Sequence, residues 1–448
     1  MNDFQSVFLG NRKMRLRWVA AFLAVLLFAA CAAGCGSKPD SPSPAGTASG
    51  GNASAETSAD VSRTVGEAET DRPSVGEGVN TYALNSSTEG VRILGKRYLP
   101  SSTQINCDWT CSGLEMNIRT DGGDIAFTAR VSAPFNASCY FRAYVDGQPW
   151  LNENGSPYYT VLADMTPVVL KKIPAGEHTV RLIKVTGYTL ARAEITRVAF
   201  AGTISAAAPA EKSLYLEFIG DSICCGWGVI GNYEGSYADQ DGSLAYPYLT
   251  ATALNADYAV TALSGQGLLK GTPGVYQGYL YASALRGTDS LYQPLRQADV
   301  TVVNIGTNDA SLQQPAQFHQ ALEQLLREIL RRNPNGRVLL IYNTMNDNYS
   351  EEILSLCKEA GGDAAGIYSL RFERAEKEDR PTNHPSAAEQ KKEADLLTAF
   401  LREKLNETVT AVPFAPPEPE LEPKPEESAI SVESVGTGVM LPWDPEKV

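Results

Sequence analysis

The stretch Leu214-Tyr215-Leu216-Glu217-Phe218-Ile219-Gly220-Asp221-Ser222 decides the fold of this chain. A mostly apolar run of strand length stops at a glycine turn, and a serine stands just beyond it, where its hydroxyl can face solvent. The tripeptide Gly-Asp-Ser is common in turns, and it is not the G-x-S-x-G elbow of the α/β-hydrolases. Its meaning comes from the pattern of elements downstream. Leu244 to Leu254 reads as a helix, Tyr258 to Leu263 as a strand and Val300 to Ile305 as another apolar strand. The next helix sets Phe318, Leu322, Leu325 and Ile329 on one face. A strand over Val338 to Tyr342, a helix around Glu352 to Lys358 and a strand over Gly366 to Leu370 come next. The last helix opens with Ser386 and Glu389 as a capping box and is expected to bury Leu396, Leu397, Phe400 and Leu401. Strands that alternate with helices imply a parallel sheet covered on both faces, here over residues 209–408.

Upstream the rhythm differs. Residues 86–208 carry short alternating strands, among them Leu114 to Ile118, Ile125 to Val131, Cys139 to Val145, Val168 to Ile173, His178 to Val185 and Ala193 to Phe200. Turn signals such as Asp146-Gly147 recur every ~8–12 residues with no long helical pattern, which predicts a β-sandwich. Residues 36–85 are rich in Ser, Gly, Ala, Thr and Pro and read as a tether, and residues 409–448 as an extended acidic Pro/Glu tail.

At the N-terminus, Arg12, Lys13, Arg15 and Arg17 precede the apolar run Trp18 to Ala30, and small residues come after it up to Cys35. This is an export signal over residues 1–35, too short to read first as a spanning helix. The small residues ending in cysteine resemble the lipobox of bacterial lipoproteins, although Leu is absent three residues upstream. Cys35 is the expected lipid attachment site and Cys31 the alternative. This implies an exported protein held to the membrane only through that lipid, with an uncleaved anchor as the competing reading.

The 448 residues carry a formal net charge of -14, which repels phosphate backbones and argues against nucleic acid as a partner. Of the eight cysteines, Cys107, Cys111, Cys139, Cys224, Cys225 and Cys357 lie beyond the signal, without the spacing of a zinc site. In an exported protein a disulfide among Cys107, Cys111 and Cys139 is expected.

In an open parallel sheet, sites gather beyond the carboxyl ends of strands. Gly220-Asp221-Ser222 ends the first strand and Ser264-Gly265-Gln266-Gly267 the second. Gly306-Thr307-Asn308-Asp309 ends the third, where the Asn308 amide can donate to developing negative charge. Asn308 and Asp309 can also be read as caps of the next helix. The chain has three histidines. His178 belongs to the sandwich and His319 lies beside the apolar face of a helix, so His384, just ahead of the final helix, is the candidate base.

These four blocks, with His384-Pro385-Ser386 as the last, resemble the ordered blocks of the SGNH (GDSL-type) hydrolases. The longer run Gly220-Asp221-Ser222-Ile223-Cys224-Cys225-Gly226-Trp227-Gly228 is similar to the Gly-Asp-Ser-Ile-Thr-Cys-Gly-Tyr-Gly stretch of carbohydrate esterase family two. Tyr246 to Tyr258 also looks like the helix and second strand of those enzymes. The resemblance implies an N-terminal jelly-roll-like β-sandwich, then an α/β/α domain with a flavodoxin-like parallel sheet. It also implies removal of O-acetyl groups from polysaccharide or oligosaccharide, with no metal or organic cofactor. Ser222 is then the nucleophile and His384 its base. The backbone N–H groups of Ser222 and Gly265 and the Asn308 side chain form the oxyanion hole, with Gly267 as the alternative donor. Asp221 and Asp309 are expected to be structural turn residues and Cys225 a buried structural thiol. Trp227 and Tyr237 are candidates for stacking on a sugar ring.

One departure stands out. Most SGNH enzymes carry Asp three residues before the histidine, and this chain has Pro381 there. Asp379 reads as a surface loop acid, so a Ser-His dyad is expected. A glycan-binding lipoprotein with a decayed site, or an SGNH lipase or thioesterase, are the competing readings.

Overall fold

The structure is a computed structural model that describes residues 78–96, 101–132, 139–161, 167–231, 239–271, 296–374, 376, 379–380 and 383–414. The signal segment with Cys35, most of the tether and of the tail, Tyr237 and Pro381 lie outside the described residues.

The first part of the described chain is antiparallel. Its strands are β1 (Asn80–Ala83), β2 (Val91–Leu94), β3 (Ile105–Asn106) and β4 (Ser112–Thr120). Then come β5 (Gly123–Ser132), β6 (Cys139–Val145), β7 (Gln148–Trp150) and β8 (Tyr159–Val161). The last are β9 (Pro167–Ile173), β10 (Gly176–Lys184), β11 (Arg192–Phe200) and β12 (Gly202–Ile204). One sheet runs β1-β11-β5-β9 with β3 on β11; the other runs β12-β4-β10-β6-β7 with β2 on β4 and β8 on β6. Strand β1 takes up residues that composition alone assigns to the tether, because β11 offers it a paired edge and Leu84 just beyond it is buried. Alternation is clean where one face meets the core: Ile125, Phe127, Ala129 and Val131 on β5, and Cys139, Phe141, Ala143 and Val145 on β6. Asp146 and Gly147, both at positive φ, turn β6 into β7. The inner residues of both sheets share a single core.

The second part has five parallel strands: β13 (Tyr215–Gly220), β14 (Asp257–Ala262), β15 (Val300–Asn304), β16 (Arg337–Tyr342) and β17 (Ile367–Arg371). Their order is β14-β13-β15-β16-β17, so chain direction across the sheet reverses at β13. Helices α1 (Tyr246–Ala253), α2 (Pro315–Arg332), α3 (Ser350–Glu359) and α4 (Ala387–Lys404) cover it. Successive strand residues alternate between the two layers. Ile219, Val303 and Leu340 pack with Phe318, Leu322, Leu325 and Ile329 of α2, whereas Phe218, Val302 and Ile341 pack on the side of α1 and α4. On α4, Leu397 and Leu401 are buried and Phe400 is partly so, but Leu396 is 42% exposed, against expectation. Leu396 precedes Leu397 by one position, about 100° around the helix, and so falls on the outer face. Ser386 caps α4 by accepting from Glu389 N–H, while the Glu389 carboxylate turns to Lys392 instead of completing the box.

The two parts share a core and a charge network. Leu94, Cys111, Ile183 and Val185 pack with Tyr248 and Tyr258. Arg92 donates to Asp257 Oδ1 at 2.8 Å and to Glu115 Oε2 at 2.9 Å, and Glu115 Oε1 receives Arg181 at 2.6 Å. The expected disulfide is not formed: Cys107, Cys111 and Cys139 carry buried thiols. Cys107 and Cys139 face the two-sheet core, whereas Cys111 faces the core shared with the parallel sheet.

Candidate active site

Strand β13 delivers its C-terminal end to the point where strand order reverses, and Ser222 lies two residues beyond it. Gly220 is required there, because a Cβ at that position would lie 1.9 Å from Cys224 Sγ. The chain then folds into consecutive tight turns, with Cys225 N–H on Asp221 O at 3.3 Å and Trp227 N–H on Ser222 O at 3.0 Å.

His384 arrives from the other end of the domain. Asn383, in the left-handed region at φ 60, turns the chain ahead of α4, a conformation Asn tolerates better than most residues. His384 Nε2 then lies 2.8 Å from Ser222 Oγ, a contact between residues 162 apart in sequence. This distance is within hydrogen-bond reach for proton transfer. The Trp227 ring sits beside the imidazole, with centroids 6.4 Å apart. Asp379 directs its carboxylate to Lys392 Nζ at 3.3 Å, in keeping with a surface loop acid. His178 pairs with Asp146 and His319 with Glu359, both away from this turn.

The second and third blocks meet beside the Gly220-Asp221-Ser222 turn. Asp309 is buried, and its carboxylate accepts the N–H groups of Leu268, Leu269 and Lys270, each at 2.8 Å. It therefore braces the loop after β14 and does not cap α2. Gly267 is needed for that approach, since a Cβ there would come within 2.2 Å of Asp309 Oδ1. The Gly267 N–H is spent on Lys270 O at 2.9 Å. Among the described residues no hydrogen bond engages the N–H of Ser222 or of Gly265, and a Cβ at Gly265 would meet open space.

Asn308 donates both hydrogens of its side-chain amide, to Asp221 Oδ2 at 3.2 Å and to Gln266 O at 3.0 Å. Both neighbours are acceptors, so the amide nitrogen must face them. Asp221 Oδ1 accepts Ile223 N–H at 3.0 Å. Burial pushes the Asp221 carboxyl up to about 7, and the Asp309 carboxylate nearby adds to the shift. Burial likewise pushes the Cys225 thiol up to about 12, so it stays protonated and structural.

Sequence reasoning brought together Ser222, His384, Gly265 and Asn308. It missed Gln390 of α4, which is fully buried, donates to Ile223 O at 3.0 Å and accepts Tyr246 N–H at 2.8 Å. Nothing in the sequence marks that glutamine, because both its partners are backbone groups from distant segments.

Residues 218–391 match the model of the GDSL-like lipase/acylhydrolase family. Over 326 residues the chain is 29% identical to a cellulase/esterase, CelE, of Acetivibrio thermocellus, covering 67% of this chain and 38% of that protein. It is 28% identical to an acetylxylan esterase/glucomannan deacetylase of Cellvibrio japonicus over 38% of this chain and 54% of that one. The chain thus spans about half or less of the length of these two relatives. A solved family-two carbohydrate esterase from Clostridium thermocellum, in complex with cellohexaose, superposes with a TM-score of 0.62 at 25% identity. That match covers 70% of this chain and 99% of the other. The family-two esterase of Cellvibrio japonicus has the same fold, with a TM-score of 0.63 at 18% identity, covering 73% of this chain and 98% of the other. Residues 218–391, which run from strand β13 past His384, thus match the GDSL-like lipase/acylhydrolase family, and the chain is similar to family-two carbohydrate esterases.

Proposed function

We propose that this protein is a serine esterase that removes O-acetyl groups from polysaccharide or oligosaccharide. The 2.8 Å contact between His384 Nε2 and Ser222 Oγ carries the reading. His384 takes the serine proton as Ser222 Oγ attacks the acetyl carbonyl. The tetrahedral oxyanion is received by the N–H groups of Ser222 and Gly265, and by the Asn308 amide as it exchanges one of its resting acceptors. His384 then protonates the sugar alkoxide, and water activated by the same imidazole releases acetate from Ser222. The direction of Asp379 supports a Ser-His dyad. The decayed-site alternative calls for a histidine turned away from the serine, so the same contact speaks against it.

The substrate class rests on the relatives, one named for acetylxylan and glucomannan and one bound to cellohexaose. Trp227 beside His384 is suited to border a sugar ring. The sequence supports export as a lipoprotein acylated at Cys35, with a tether before the two-sheet part and an acidic tail after residue 408. Two antiparallel sheets around one core support the reading of that part as a jelly-roll-like sandwich. The test is acetate release from 4-nitrophenyl acetate and from acetylated xylan and glucomannan. Ser222→Ala and His384→Ala should each abolish it; activity that survives in both variants would overturn the mechanism.

A further inference from the structure

Two peptide planes flank the Cα of Ser222, and Cys225 holds both. Its N–H donates to Asp221 O at 3.3 Å, and its Sγ donates to Ser222 O at 3.5 Å. Cys225 is in turn held by Gln240, whose Nε2 donates to Cys225 Sγ at 3.2 Å. The other end of the Gln240 amide accepts the N–H of Gly187, in the loop between β10 and β11 of the two-sheet part. The backbone N–H of Gly187 can only donate, which fixes the amide oxygen toward it and the nitrogen toward the thiol. Gln240 and Cys225 are buried, so water does not compete for these bonds.

The residues next to Gln240 are tied down from the same side. Asp241 Oδ2 accepts Tyr158 Oη at 2.7 Å and Arg142 at 3.3 Å, and Arg142 also donates to Ser243 Oγ at 2.8 Å. Asp241 N–H reaches Gly226 O at 3.2 Å, and Gly242 N–H reaches Val185 O at 2.9 Å.

We propose that Gln240 is a positioning residue: it carries a hydrogen-bond relay from Gly187 of the two-sheet part, through Cys225, to the backbone of Ser222. The two-sheet part is then a working component of the esterase site, beyond any contact it makes with substrate. The inference rests on the esterase reading. It deepens that reading by naming what fixes the direction of the nucleophile and of its own N–H. Displacing a reacting atom by 1 Å can cost about a hundredfold in rate, so loosening this relay should be felt in turnover.

The test uses the full chain with two readouts: hydrolysis of 4-nitrophenyl acetate, and the rate at which a fluorophosphonate probe labels Ser222. Gln240→Met keeps the side-chain length but removes both bonds. It should lower kcat and the labelling rate about tenfold, with KM within about twofold of the parent, measured well below its melting temperature. Cys225→Ala should fall as far, Cys225→Ser should retain activity because a hydroxyl still donates and accepts, and the double variant Gln240→Met/Cys225→Ala should be no worse than either single one. Parental kcat and labelling in folded Gln240→Met, or additive losses in the double variant, would overturn the proposal. If Gln240→Met does not fold, equal rates for Cys225→Ala and Cys225→Ser overturn it, and a Ser variant faster than the Ala variant supports it. A parent protein that takes no probe and releases no acetate overturns the esterase reading itself, and the relay with it.

Discussion

Replacing Asn308 by alanine tests the oxyanion assignment in a way that depends on this geometry. Loss of one oxyanion donor costs about 2.7–4 kcal/mol in other hydrolases. Here the amide is not idle at rest, since its hydrogens are held by Asp221 Oδ2 at 3.2 Å and Gln266 O at 3.0 Å. Donation to the oxyanion must replace one of these, and the longer bond to Asp221 is the one to yield, at about 1 kcal/mol. The net loss is then about 2–3 kcal/mol, a fall in kcat of roughly 30- to 150-fold, with KM little changed because the gain exists only in the transition state. Steady-state hydrolysis of 4-nitrophenyl acetate by full-length Asn308→Ala measures both constants. The substitution also strips a donor from Gln266 O and from Asp221, so the melting temperature should drop by an amount equivalent to roughly 1–3 kcal/mol. A kcat within threefold of the parent, or a loss confined to KM, would refute Asn308 as a donor to the oxyanion.

Gly267→Ala should force the Asp309 carboxylate off the N–H groups of residues 268–270, because the new Cβ would lie 2.2 Å from it; kcat/KM should fall at least about tenfold. Arg92→Met removes the shared partner of Asp257 and Glu115 while Glu115 keeps Arg181, which costs about 1.5–3 kcal/mol. Thermal melts should show that loss while labelling of Ser222 at low temperature stays at the parental rate. Glu393 on α4 is buried and, among the described residues, no hydrogen bond reaches either carboxylate oxygen; burial raises its pKa well above the usual range. Its folded-state pKa lies above the unfolded one, so stability falls as pH rises from the ordinary carboxylate range up through the folded value. Glu393→Leu should raise the melting temperature, and calorimetry at pH 5 and pH 9 should find the larger gain at pH 9.

Much of the parallel-sheet part was legible from periodicity, because strands buried on both faces read as continuous apolar runs. Phe318, Leu322, Leu325 and Ile329 are all buried as their spacing predicts. Ser222 and His384 were legible because strand ends and the scarcity of histidine leave few choices. What the sequence hides is the identity of tertiary partners. Asp309 looks like a helix cap until the loop after β14 is seen folding onto it. Gln240 and Gln390 carry no local signature, since each bonds to groups brought near only by the fold. For pairs that include Cys111, the disulfide expected from cysteine content failed for a similar reason: spacing cannot say that Cys111 faces a different core from Cys107 and Cys139.

Those thiols make the protein its own reporter of opening. Cys107 and Cys139 lie in the two-sheet core, Cys111, Cys224 and Cys225 in the shared core, and Cys357 on the buried face of α3. Each is shielded from solvent in the folded state, so an alkylating reagent can reach it only when its surroundings part. Reading which cysteine is modified first, and how denaturant changes that order, would map where the molecule loosens before it unfolds.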